Sequence, residues 1–139
     1  MDFPRRRLVI GLLLFAAAFD VAYWVVWFTH RSLLASSTDK AYESFENAFP
    51  LADGWLAICC LLAARALHRR TSSALLWLLC AGSAGMYLAC MDVLYDLEND
   101  IWWEGGGGGL VELGINVLTV AGSVLALVLG WRHRAELLD

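Results

Sequence analysis

The sequence predicts an all-α, polytopic membrane protein: a four-transmembrane-helix bundle with a short amphipathic helix in its first outer loop. Three observations carry that prediction. Of 139 residues, 60% are hydrophobic and only 17% charged, with a mean hydropathy of +0.60, whereas about a quarter of the residues in soluble domains are charged. The apolar residues are gathered into four blocks rather than scattered. Each block approaches the roughly 17–25 residues that a helix needs to cross a hydrocarbon core. Residues 1–139 read as a single four-helix domain.

The first span covers about 8–28, LVIGLLLFAAAFDVAYWVVWF, and its one charge is Asp20. Arg5, Arg6 and Arg7, a short apolar run and Ala16-Ala17-Ala18 carry the outline of an export signal, with a cleavage point before Phe19. Because the apolar run continues to Phe28, an uncleaved span is expected instead. The loop that follows contains DKAYESFENAF, in which Ala41, Tyr42, Phe45, Ala48 and Phe49 recur at helical spacing. With Asp39 as N-cap and Pro50 as boundary, it reads as an amphipathic helix lying on the outer surface or capping the bundle. The second span covers about 51–67, with Pro50 in its first turn, where proline is tolerated. The third covers about 73–95 and the fourth about 110–131. Unbroken helices are expected because lipid offers backbone groups no other partners. The five glycines 105–109 before the fourth span read as a flexible linker. They lack the lysine and hydroxyl of a phosphate-binding loop.

Orientation follows from lysine and arginine. Arg5, Arg6, Arg7, Arg65, Arg69, Arg70, Arg132 and Arg134 fall on one side, leaving Arg31 and Lys40 on the other. Both termini are therefore expected in the cytoplasm, in a multi-pass protein of the cell membrane. The opposite loops carry the acids Asp39, Glu43, Glu46, Asp96, Glu98, Asp100 and Glu104.

Several function classes are excluded. No P-loop, dinucleotide-binding glycine pattern or HExxH motif is present, and no basic stripe suits nucleic acid. Cys59, Cys60, Cys80 and Cys90 lie inside spans without a CxxC pair, which argues for packing rather than disulfide exchange. His30, His68 and His133 have no metal-ligand spacing, so neither a metal nor a cofactor is expected.

The chemistry-bearing residues lie within the spans. An isolated carboxylate near the centre of a bilayer costs about 2.5–3.5 kcal/mol on insertion scales, so Asp20 needs an offsetting role. Each span places an acid on a stripe of small or polar residues. Asp53 heads Ala57, Cys60 and Ala64. Asp92 and Asp96 follow Ala81, Gly85 and Leu88. Glu112 heads Asn116, Thr119 and Ser123. Spacings of three and four put each set on one helix face, and such faces turn inward in membrane bundles. The expected result is an acid-lined, outward-facing pocket formed by Asp20, Tyr23, Trp24, Asp53, Asp92, Glu112 and Asn116. Tyr23 and Trp24, with Trp27, Tyr87 and Tyr95, add aromatic faces for cation–π contacts. Such a pocket suits a cationic or amphipathic small molecule, in transport or sensing.

Four short spans with one deep acid in the first are similar in outline to the small multidrug resistance transporters, which implies a possible homodimer. The sequence around Asp20 does not carry that family's pattern, and the first outer loop is longer. Cytoplasmic ends, four helices and pocket acids are also similar in outline to sterol isomerase-like membrane proteins. That likeness implies an intramembrane proton transfer on a lipophilic substrate, with Asp20 as proton carrier and Glu112 or Asp92 as partner. A third alternative is an accessory subunit that docks another membrane protein through its small-residue faces.

Overall fold

The computed structural model describes residues 5–35, 37–103 and 107–139, and helices account for nearly all of them. Its helices are α1 (Arg6–His30), α2 (Lys40–Glu46), α3 (Pro50–Arg69), α4 (Ser73–Glu98), α5 (Gly108–Arg132) and α6 (Arg134–Leu138). Short 3-10 turns follow α1 at Arg31–Leu33 and α4 at Ile101–Trp103. Four helices are long and apolar enough to cross a membrane. Each extends a few residues beyond its apolar block, because polar flanks such as His30, Arg69, Glu98 and Arg132 continue the helix past the part that hydropathy detects. Leu14, Val21, Val25 and Phe28 on α1, and Val117, Val124 and Val128 on α5, all face outward. Apolar surface on that scale is expected against lipid and would be a liability in water.

The long helices pack in chain order: α1 on α3, α3 on α4, and α4 on α5. Between α3 and α4 the chain turns through Arg70 in the left-handed region (φ 55°), and the Thr71 N–H donates back to the Ala66 carbonyl at 3.0 Å. That bond closes the helix end in the manner of a Schellman motif, with arginine where glycine is usual. The Ala81-to-Gly85 stretch is a close helix–helix contact, as its small residues imply. A Cβ added at Gly82 would stand 2.7 Å from Leu127 Cγ and 2.9 Å from the Ser123 carbonyl, and one at Gly85 would overlap Ser123 Oγ. Gly130 receives Leu78 and Leu79 from the same side. The core at the end carrying the termini is made of Val9, Leu13, Ala63, Leu67, Ala74, Leu78 and Leu137, with Cys59 and Cys60 buried among them.

Helix α2 closes the opposite end. Its N-terminus follows Asp39 in extended conformation, although the Asp39 side chain makes no capping bond. The packed face differs from the expected stripe. Tyr42, Glu46 and Phe49 are buried, whereas Ala41 and Ala48 are exposed. An acid therefore replaces two alanines on the inner face, where Tyr42 reaches Glu112 of α5 and Glu46 lines the interior of the bundle. Phe45 stacks on Tyr95 of α4 with centroids 3.8 Å apart, and Trp27 of α1 lies 6.2 Å from Tyr42. The Trp27 indole N–H donates to Asn47 Oδ1 at 3.0 Å. Outside this cap, Arg31 lies over the Trp27 ring and pairs with Glu43 at 3.1 Å.

Of the expected glycine linker and loop acids, residues 104–106 lie outside the described residues. Gly108 and Gly109 begin α5 rather than extending a linker. A Cβ on Gly109 would sit 2.5 Å from the Ile101 carbonyl, so the 3-10 turn rides directly on the first turn of α5.

Candidate functional site

Helices α1 and α5 stand at the two ends of the row and form no extended contact. Between them, floored by α3 and α4, lies a cavity of about 410 Å³, within the range of small-molecule sites. All seven residues singled out in the sequence line it: Asp20, Tyr23, Trp24, Asp53, Asp92, Glu112 and Asn116. The helical repeat explains why. Asp53 stands one turn inside α3, Asp92 sits in the last third of α4, and Glu112 and Asn116 occupy successive turns of α5. The chain reversals bring these levels together.

The acids are held by neutral donors. The Trp24 indole N–H donates to Asp53 Oδ2 at 2.8 Å across the α1–α3 seam. The buried Tyr42 hydroxyl donates to Glu112 Oε1 at 2.6 Å, tying α2 to α5. Asn116 Nδ2 and the Trp102 indole N–H both donate to Asp96 Oδ2, at 2.7 and 2.8 Å. Asp20 differs, since its Oδ2 is buried with no hydrogen-bond partner among the described residues. A buried carboxylate oxygen without a partner is costly in any apolar setting.

Two further acids belong to this region, Glu46 from the outer loop and Asp96 from the inward stripe of Asp92. Glu46 lines the cavity from α2 and is 5% exposed, and Asp96 is 1% exposed behind Asp92 and Glu112. Asp96 shares the Asp92 face by the i,i+4 rule, so that signal was present. For Glu46 the signal was its i,i+4 spacing from Tyr42, which only the fold of α2 over the bundle makes meaningful. By contrast, Tyr87 is 68% exposed and lies away from the cavity. It is thereby removed from the aromatic set, because its position on α4 points outward; Trp27 and Tyr95 do not line the cavity either, since both pack against Tyr42.

Oxygens of Asp92, Asp96 and Glu112 come within 4.8 Å of one another. An all-oxygen set of this kind suits hard cations, a possibility that histidine spacing does not test. Altogether Asp20, Glu46, Asp53, Asp92 and Glu112 face the cavity, and among the described residues no lysine, arginine or histidine does. These donors carry no positive charge, so any ionised carboxylate in the cavity lacks a counter-charge among the described residues.

The cavity is also two-ended in character. Towards the chain termini its walls are Val9, Leu13, Leu78, Ala81, Ala126 and Leu129, all apolar. The expected mouth on the outer surface is covered by α2, and the gap lies at the side, between α1 and α5. Its lips, Leu12, Phe15 and Phe19 on one helix and Leu118 and Leu125 on the other, are 40–65% exposed. No protein-family model, no curated protein and no solved structure matches this chain.

Proposed function

We propose that this is a small integral membrane protein whose acid-lined intramembrane pocket binds a cationic or amphipathic small molecule, for transport or sensing. One observation carries the reading: five carboxylates face one cavity that no basic residue of the described chain enters. A bound cation would supply the missing charge and give Asp20 Oδ2 its partner. Tyr23 and Trp24, perpendicular to each other with centroids 5.2 Å apart, offer ring faces to the same group. The Coulomb attraction between unlike charges is stronger inside a low-dielectric wall than in water.

A second reading rests on Asp20 alone. An unpartnered carboxylate above apolar walls also fits a proton carrier for a lipophilic substrate, as in an intramembrane isomerase. The two separate experimentally, since a binder or transporter returns its ligand unchanged.

Benzyltrimethylammonium is a suitable probe, with a quaternary charge, an aromatic ring and no chain. Titration calorimetry on the protein in phosphatidylcholine nanodiscs should show saturable binding. Asp20→Asn should lower that affinity at least about tenfold, equivalent to about 1.4 kcal/mol, with circular dichroism unchanged. Binding that is absent, or that Asp20→Asn leaves intact, overturns the reading.

A further inference from the structure

The acids occupy only one end of the cavity, and the remainder is an apolar groove along the bundle. Asp20 and Val9 both line it and lie roughly 16 Å apart along α1 at about 1.5 Å per residue. That length is close to half of a hydrocarbon core about 30 Å thick. On the facing helix the same change occurs, from Glu112 and Asn116 through Thr119 and Ser123 to Leu125, Ala126 and Leu129. The groove is closed above by α2, floored by α3 and α4, and open sideways between exposed apolar lips.

From this polarity we infer that the ligand is a single-chain amphiphile with an ammonium head, which enters from the bilayer through the α1–α5 gap. The head rests among Asp20, Asp53, Asp92 and Glu112, and the tail lies along Leu13, Ala126 and Leu129. Carboxylates with no basic residue beside them among the described residues favour a cationic head, and the apolar length of the groove suits a tail. The lateral gap fixes the route, because a chain already dissolved in lipid can slide between Phe15 and Leu125 without crossing water. A second copy of the chain is a poorer occupant: a helix seated in the gap would bring apolar side chains, not a cation, to the acids. This inference rests on the cation-binding reading and narrows its ligand class.

The test uses a dodecyltrimethylammonium carrying a diazirine at the end of its tail, photolysed with the full chain in phosphatidylcholine nanodiscs. Saturable adducts are expected on Val9–Ala16 of α1 and Leu125–Leu129 of α5. Dodecyltrimethylammonium should suppress them at concentrations at least about tenfold below those of benzyltrimethylammonium, and dodecyl sulfate, with the same tail and opposite charge, should not. Labelling spread evenly over the lipid-facing sides of all four helices overturns the inference. So does equal suppression by dodecyl sulfate, or an adduct pattern explained by a second copy in the gap. If benzyltrimethylammonium still binds in an Asp20-dependent way under those outcomes, the cation reading stands without the tail; if it does not, both fall.

Discussion

Replacing Gly82 by alanine tests the α4–α5 seam on which the acid pocket depends. The new Cβ would meet the Ser123 carbonyl at 2.9 Å and Leu127 Cγ at 2.7 Å. The leucine end can rotate, but the carbonyl belongs to a helix backbone. Reaching ordinary contact at about 3.5 Å moves α5 outward by roughly half an ångström. Forcing an extra carbon into a packed interface costs about 1–3 kcal/mol. Alanine also gains up to about 1 kcal/mol over glycine in helix propensity, so the matched control is Gly114→Ala on α5, where nothing lies within 4 Å of the added carbon. The propensity gain is common to both, and the difference between the two variants is therefore about 1–3 kcal/mol. At roughly 3 °C per kcal/mol for a chain of this size, Gly82→Ala should melt several degrees below Gly114→Ala in a thermal-shift measurement in detergent. Equal melting temperatures would refute the close approach of α4 and α5.

Other outcomes follow from the contacts already described. Tyr42→Phe removes the 2.6 Å bond to Glu112; at about 1.5–3 kcal/mol for a hydrogen bond to a charged group, amide exchange in α2 should speed up by roughly 10–150-fold. Trp24→Phe removes the donor to Asp53 and should cost more stability in detergent than Asp53→Asn, whose amide oxygen can still accept. A cysteine at Asn99, tested in a background without the native cysteines, should react with a membrane-impermeant maleimide on intact cells. One at Ser72 should react only after lysis; the reverse pattern would invert the orientation drawn from the arginines.

The four long helices were legible because each rests on a long apolar run, and their inward faces because small and acidic residues recur every three or four positions. Asp53, Ala57, Cys60 and Ala64 all turn inward or towards the cavity, as do Glu112, Asn116, Thr119 and Ser123. Partners distant in sequence were not legible. Nothing local links Trp24 to Asp53 or Tyr42 to Glu112, which are 29 and 70 residues apart. The position of the gap was equally hidden, since periodicity identifies the inner face of each helix but not which neighbours close around it. Glu46 read as an outer-loop acid because hydropathy assigns charge beside a loop to water, and Asp96 fell both on the inward stripe of Asp92 and among the outer-loop acids. Their burial depends on α2 and the Ile101–Trp103 turn folding back over the bundle.

The absence of an extended α1–α5 seam also bears on how the chain is made. Every extended pairing among the four long helices joins consecutive long helices, so each pair can settle once its second helix has formed. Low contact order of this kind favours fast folding. During synthesis, α1 and α3 can form their Trp24–Asp53 bond before α5 exists, and α5 then completes the acid pocket by docking on α4 through Gly82 and Gly85. The pocket is thus incomplete until α5 is present, and truncation before residue 108 would remove the wall that carries Glu112 and Asn116.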